Sequence, residues 1–113
     1  MCTKSEAMSI LQEVYERSRN IFGNSLAGAY LYGSYARGDY DEESDVDILL
    51  TVDQSDEAIR THRKLLVGMD SALSLDHNVT VCVTAKPLEH FNRYADISPL
   101  YRNVINEGIR YGG

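Results

Sequence analysis

Two short segments carry most of the structural information in this chain: LYGSYARG at residues 31–38 and SDVDILL at residues 44–50. The first ends an apolar run with a glycine–serine bend, and the second opens an apolar run with two aspartates. Glycine followed by serine favours a tight turn, and the run at 45–52 is the strongest β pattern in the sequence. The segments together predict a strand, a turn, an acidic loop and a second strand.

The two aspartates of the second segment suit a metal ion. Side chains alternate along a strand, so Asp45 and Asp47 are expected on the same face, roughly 6 to 7 Å apart. Two carboxylates this close repel each other unless a cation neutralises them. Magnesium prefers a few carboxylates together with water and phosphate oxygens. The pair therefore predicts an Mg²⁺ site, although a bare Asp-x-Asp alone is also typical of a solvated strand edge.

The bend itself suits a phosphate. Gly33 permits close backbone approach, and Ser34 adds a hydroxyl to the free N–H groups at a helix start. Arg37 lies about one turn further on. Its guanidinium either steadies a polyphosphate or pairs with the acidic loop at 39–43. These residue types predict metal-assisted phosphoryl-type transfer, in which positioning and charge stabilisation supply most of the catalysis.

Composition narrows the class of protein. The 113 residues predict a single domain, 1–113, and the net charge of −6 disfavours nucleic-acid binding. No apolar stretch approaches the roughly 20 residues of a membrane span, and residues 1–13 lack an apolar signal core. We therefore expect a cytoplasmic protein. Its two cysteines, Cys2 and Cys82, are expected to be free thiols.

Hydrophobic periodicity predicts alternating helices and strands. A first helix should be capped at Thr3 and ended by Gly23, with Thr3 and Glu6 as a capping box. Further strands are predicted at 26–32, 45–52 and 78–84, with helices at 57–73, 88–94 and 99–110 and a short one at 35–38. This order predicts an α+β fold with a small mixed sheet covered by helices mainly on one face.

The motif resembles a known family. Gly33-Ser34, ten intervening residues and Asp45-Val46-Asp47 are similar to the signature of the DNA polymerase beta-like nucleotidyltransferase superfamily, and in particular to its minimal nucleotidyltransferases. The resemblance implies that Gly33 and Ser34 bind a nucleoside triphosphate and that Asp45 and Asp47 bind two magnesium ions. It also implies transfer of a nucleotidyl group, often AMP from ATP, to a hydroxyl acceptor with release of pyrophosphate.

The resemblance also implies a partner. Minimal members are commonly paired with a helical HEPN protein in toxin–antitoxin modules, and some adenylylate that partner. A chain of this length has no residues for a second domain that would hold the base or the acceptor. We therefore expect a homodimer or a hetero-oligomer to complete the cleft.

One feature departs from the family pattern. The family normally supplies a third carboxylate from the neighbouring strand, whereas the corresponding face here offers Asn78, Thr80 and Cys82. Asp76 could serve only in another register, and Asn78 only through its carbonyl. The departure predicts slow catalysis or a carboxylate donated by a partner. Two alternatives stay open: an antitoxin-like binding subunit with weak catalysis, and a transferase acting on a small molecule such as an aminoglycoside.

Overall fold

A computed structural model describes residues 2–112 and contains six helices and four strands in that range. A 3₁₀ turn at Gly23–Ser25 joins the first helix to the first strand. The elements are α1 (Lys4–Phe22), β1 (Leu26–Tyr32), α2 (Ser34–Arg37), β2 (Val46–Val52), α3 (Asp56–Arg60), α4 (Arg63–His77), β3 (Val81–Pro87), α5 (Leu88–Tyr94), α6 (Pro99–Glu107) and β4 (Ile109–Tyr111).

The four strands form one mixed sheet in the order β3-β2-β1-β4. β1 runs antiparallel to both β2 and β4, whereas β2 and β3 are parallel. The predicted α+β fold with a small mixed sheet is confirmed. Since β1 and β2 lie at the centre, the turn that follows β1 and the aspartates that begin β2 meet at the same end of the sheet.

Most of the core lies between one face of the sheet and helices α1 and α4. β2 contributes Val46, Ile48, Leu50 and Val52 to this face, and all four are fully buried. The opposite face carries a smaller cluster in which Leu49 packs with residues of α5 and α6: Phe91, Tyr101 and Val104. Helices therefore cover mainly one face, as predicted, and Asp47 belongs to the less covered one because it alternates with Val46 and Ile48.

Local signals explain where the first elements begin and end. The Thr3 hydroxyl accepts a hydrogen bond from the Glu6 N–H at 3.1 Å, which caps α1 as predicted. Gly23 ends that helix with φ +60°. β1 occupies the predicted residues despite its small side chains, because it is the central partner of both β2 and β4.

Three predicted elements were wrong in their bounds. The helix predicted at 57–73 is two helices, α3 and α4, and Leu65 of α4 is 58% exposed. α4 continues to His77, and Asn78 caps it with φ +52°, so β3 begins only at Val81. The last predicted helix ends at Glu107, and the chain then pairs with β1 as β4.

The edge strand β3 is tied to α4 by two side chains. The Ser74 hydroxyl accepts a hydrogen bond from the Val81 N–H at 2.9 Å, and Asp70 Oδ2 accepts one from the Val83 N–H at 3.3 Å. These two hydrogen bonds hold β3 in a fixed position relative to α4.

No helix within residues 2–112 combines the length and apolar character that crossing a bilayer requires.

Candidate active site

The turn after β1 has a conformation that requires glycine. Gly33 has φ +77° and ψ −155°, a region that side chains strongly disfavour. A Cβ added there would lie 2.7 Å from Oδ2 of Asp47, closer than real Cβ contacts. The absence of a side chain at Gly33 therefore leaves room for the Asp47 carboxylate directly beside the turn.

Buried aromatic packing anchors the turn from below. Ser34 begins the four-residue helix α2, whose Tyr35 is almost completely buried. The Tyr35 hydroxyl donates to the backbone carbonyl of Cys2 at 3.2 Å, and its ring stacks on Tyr40 at 4.4 Å between centroids. Cys2, expected at a mobile end, is itself buried. The contacts of Tyr35 with Cys2 and Tyr40 thus hold the backbone that follows Gly33 and Ser34 in place.

The two aspartates lie at the start of β2. Asp47 is half-buried and is paired in register with Tyr32 of β1, whereas Asp45 is exposed just before the strand. Partial burial raises the pKa of Asp47, the charge of Asp45 raises it further, and Arg37 lowers it. The structure therefore brings Gly33 and Asp45 close to Asp47.

Arg37 is close enough to act on Asp47 electrostatically, yet its hydrogen bonds go elsewhere. Its Nη1 donates to Glu107 Oε2 at 3.1 Å, and its Nε donates to Asp39 Oδ2 at 3.3 Å. One of the two alternatives, pairing with the acidic loop, is thus present through Asp39. Glu107, at the end of α6, had no sequence signal as a site residue because it lies 70 positions away in the chain.

On β3, a cysteine lies beside Asp47 on the strand from which the family pattern would supply a third carboxylate. Cys82 is paired in register with Asp47 and is exposed on the same face of the sheet. Burial and the charges of Asp45, Asp47 and Asp70 raise the pKa of the Cys82 thiol. Asp76 lies within α4 and Asn78 at its C-terminal cap. Neither of these two residues is in the strand, so the expectation that Asn78 shares a strand face with Cys82 was wrong.

Tyr32 completes a row across three strands, and sequence reasoning missed it. The register pairs Tyr32 with Asp47 and Asp47 with Cys82, so the three side chains lie side by side. Burial raises the pKa of the Tyr32 hydroxyl, Asp47 raises it further, and a hydrogen bond with Thr84 lowers it. The alternation of β1 was the available signal, since Tyr30 and Tyr32 share a face opposite Leu31.

The donor set fits a metal ion shared with a substrate. Among residues 2–112, no group of three or more His, Cys, Asp or Glu side chains is arranged to hold a metal. In the same range, neither Asp45 nor Asp47 forms a salt bridge. Two unneutralised carboxylates beside a side-chain-free turn match the preference of Mg²⁺ for few protein ligands, with phosphate oxygens and water completing the shell.

Two clefts of the protein lie away from the motif. They have volumes of about 440 and 480 Å³, and one lies between α3, α4 and β3, the other between the end of β2 and α5. Neither is lined by Gly33, Asp45 or Asp47.

A comparison with known families identifies the family of this chain. The family described as nucleotidyltransferase domain matches residues 8–111, which include every residue of the site. This chain belongs to that family. The predicted resemblance and the predicted enzyme class, a nucleotidyltransferase, are thereby confirmed.

Two relatives come from Methanocaldococcus jannaschii, and both carry the name putative protein adenylyltransferase. One is 34% identical over 101 residues, covering 82% of this chain and 93% of the relative. The other is 34% identical over 76 residues, covering 67% of this chain and 75% of the relative. The match thus extends over most of this nucleotidyltransferase and most of each relative.

Two solved structures share its fold. One is a toxin–antitoxin crystallised with AMP-PNP, with TM-score 0.58, 19% identity and coverage of 90% of this chain and 73% of the other. The second is a tri-AMPylated Shewanella oneidensis HEPN toxin in complex with an MNT antitoxin, with TM-score 0.53, 17% identity and coverage of 95% and 73%. At these identities the likeness establishes the fold of the nucleotidyltransferase.

Proposed function

We propose that this nucleotidyltransferase, acting as a single domain over residues 1–113, transfers AMP from ATP to a hydroxyl group on a protein. The observation that carries the proposal is the contact between Gly33 and Asp47, because it brings a phosphate-compatible turn against a carboxylate pair. The names of the Methanocaldococcus relatives support adenylyl transfer and a protein acceptor.

In this reaction the oxygen of the acceptor hydroxyl forms a bond to the α-phosphorus of ATP, and the proton of that hydroxyl passes to water. The bond between the α-phosphorus and the bridging oxygen to the β-phosphorus breaks, and pyrophosphate leaves. Asp45 and Asp47 would hold Mg²⁺, which supplies charge neutralisation at the reacting phosphate when bound. Gly33 and Ser34 would hold the triphosphate by backbone and hydroxyl groups, and Arg37 would contact the polyphosphate after leaving Glu107.

The acceptor we propose is a HEPN-type partner, met in the cytoplasm. The names of the two Methanocaldococcus relatives, putative protein adenylyltransferases, favour a protein as the acceptor. The structural neighbours include a HEPN toxin carrying AMP groups in complex with an MNT antitoxin. A partner or a second copy would then complete the cleft around the nucleotide.

The test uses ATP labelled at the α-phosphate, Mg²⁺ and a HEPN-type protein encoded beside this chain. The label should appear on the partner, and Asp45→Asn or Asp47→Asn should reduce transfer by at least about 100-fold, as when a charge-stabilising group is removed. Asp53→Asn is the matched control, because Asp53 is exposed just beyond the other end of β2. Transfer that survives in both site variants would contradict the proposal.

The second candidate is an antitoxin-like subunit that neutralises its partner by contact. The observation in its favour is Cys82, which stands beside Asp47 where a carboxylate would assist the acceptor. This candidate predicts that the partner is neutralised equally by the natural protein, Asp45→Asn and Asp47→Asn, with no label transferred. Loss of neutralisation in the two aspartate variants would instead support the first candidate, the transferase.

A further inference from the structure

Helix α4 carries large apolar side chains on the face that points away from the rest of the protein. Its inner face packs against α1 and β3 through three buried residues, Leu66, Met69 and Leu73. On the outer face Leu65 is 58% exposed and Leu75 is 84% exposed. Of the large apolar side chains that the structure describes as exposed, Leu75 has the highest exposed fraction. The outer face of α4 is thus an apolar surface without a partner in the described part of the chain.

The residues of this outer face have the same order of sizes in both directions along the helix. Leu65, Gly68, Ala72 and Leu75 are spaced 3, 4 and 3 residues apart, which places them on one stripe of a helix. A large side chain stands at each end, and two small residues lie between. An antiparallel copy of this stripe would set leucine against leucine at both ends and Gly68 against Ala72 in the middle. A two-fold symmetric contact requires this kind of self-complementarity.

The middle of the stripe leaves room for a second helix. A Cβ added to Gly68 would meet nothing within 4 Å among the residues that the structure describes. Glycine inside a helix is less stable than alanine, so packing within one copy does not account for its presence. The distance between two packed helices depends on the side chains at their contact, and small ones allow a close approach. Gly68 and Ala72 therefore suit a crossing in which the four leucines of two copies meet around a close centre.

The charges of α4 are the reverse of those that stabilise a single helix. Its first turn contains Arg63 and Lys64 and no acidic residue, whereas Asp76 lies in its last turn. The dipole of a helix disfavours cations at its N-terminus and anions at its C-terminus. Among the described residues neither Lys64 nor Asp76 forms a salt bridge. An antiparallel copy of α4 would bring a C-terminal end and its Asp76 toward Lys64, which converts the repulsion into attraction.

We propose that two copies of this chain associate through α4, antiparallel, with Leu65 of each copy against Leu75 of the other. Asp47 projects from the sheet face opposite to the one that α4 covers, so both candidate active sites face outward in this dimer. The second copy therefore leaves the motif free, and a different protein has to complete the cleft. Because each copy contributes a single helix, the dimer should be weak, with a Kd on the order of 10–100 µM.

The first test is sedimentation equilibrium of the full chain. The natural protein should be monomeric at about 1 µM and mostly dimeric at about 500 µM. Leu75→Lys places a cation beside Lys64 of the other copy and should raise the Kd at least about tenfold. Ile97→Lys is the matched control, because Ile97 is a large apolar residue outside α4 with 72% of its surface exposed. Its Kd should stay within about twofold of the natural value.

The second test fills the centre of the stripe. Gly68→Gln should raise the Tm of the dilute monomer by about 2 °C, because glutamine favours a helix more than glycine does. The same substitution should raise the Kd of the dimer at least about tenfold, because the longer side chain keeps the two helices apart. A Kd that does not change would show that no helix packs across Gly68.

The third test determines the orientation of the two helices. Leu65→Cys and Leu75→Cys are made in a Cys82→Ser background, which removes the exposed natural thiol. The two positions are about 15 Å apart along α4, so only one orientation brings position 65 beside position 75 of the other copy. Oxidising a mixture of the two variants with glutathione disulfide should yield at least about five times more linked dimer than oxidising either alone. More linked dimer from either variant alone would overturn the antiparallel arrangement.

The outcomes separate this inference from the proposed function. Asp47→Asn should associate with the same Kd as the natural protein, so a failure of AMP transfer leaves the inference standing. A natural protein that is monomeric at about 500 µM would overturn it. Loss of binding to the HEPN-type protein in Leu75→Lys, with no dimer in the natural protein, would assign the outer face of α4 to that partner instead.

Discussion

Gly33 and Asp47 lie so close together that a Cβ added to the glycine would be 2.7 Å from Oδ2 of the aspartate. Gly33→Ala should therefore displace the carboxylate as well as strain the backbone by about 1–3 kcal/mol. We expect MgATP affinity to fall at least about tenfold, measured by titration calorimetry.

Gly23→Ala is the control for that experiment. Gly23 has φ +60° and ψ −136°, close to the conformation of Gly33, but within the described part of the chain an added Cβ there meets nothing within 4 Å. It should lose similar stability and keep its affinity for MgATP. Equal loss of affinity in both variants would show that backbone strain alone is responsible.

Asp47 should lower the stability of the metal-free protein at neutral pH. Because the pKa of Asp47 is raised on folding, the folded state favours the protonated form. The penalty is absent below the ordinary pKa of aspartate, develops as the pH rises toward the folded-state pKa, and is complete above it. Asp47→Asn should then raise the Tm by roughly 2 °C at pH 7, a small gain because the group is half exposed and screened by solvent.

The measurement is thermal unfolding in EDTA at pH 7 and at pH 3. The gain of Asp47→Asn should disappear at pH 3, where both proteins carry a neutral side chain. Asp53→Asn, outside the site, serves as the comparison at each pH. An increase in Tm that is equal at pH 7 and pH 3 would show that the substitution acts through packing and not through charge.

The ion pair between Arg37 and Glu107 should compete with the nucleotide. Glu107→Gln removes the competing charge at 3.1 Å, so we expect MgATP affinity to rise about two- to fivefold, while Arg37→Ala should reduce it. The Tm should change little, because the pair is partly exposed and its attraction is screened by solvent. Unchanged affinity in Arg37→Ala would remove Arg37 from the donor site.

Asp70 should be a pH-dependent component of the contact between α4 and β3. Among residues 2–112 its buried Oδ1 has no hydrogen-bond partner, and burial raises the pKa of its carboxyl, with the Val83 N–H lowering it in part. Asp70→Asn keeps an oxygen for Val83 and removes the charge. It should raise the Tm by a few degrees at pH 7 and by nothing at pH 3, in an unfolding series read by circular dichroism.

Local sequence predicted the elements that build the site. The apolar run of β2 and the Gly33-Ser34 bend are encoded within a few residues, so strand alternation and turn chemistry were enough to predict both elements. The capping of α1 by Thr3 is local for the same reason. Whether Gly33, Ser34, Arg37 and the two aspartates bind nucleotide and metal stays a prediction for the experiments above.

Long-range pairing produced what the sequence did not predict. β4 follows Gly108, and its Ile109 pairs with Leu31 of β1, a contact between residues far apart in the chain. Periodicity alone assigned Ile109 to the preceding helix because its spacing from Ile105 also fits a helical turn. Likewise, the left-handed cap at Asn78 shifted β3 by three residues, and only the register with β2 shows that Cys82 stands beside Asp47.

The hydrogen bonds that Ser74 and Asp70 accept from the Val81 and Val83 N–H groups also restrict how another protein can approach. A strand from another protein that extends a sheet needs free main-chain N–H groups along the edge strand that it joins. Here two of those donors are already engaged by the protein's own helix. Recognition along this border must therefore depend on side-chain complementarity, which allows a selective partner and discourages indiscriminate self-association.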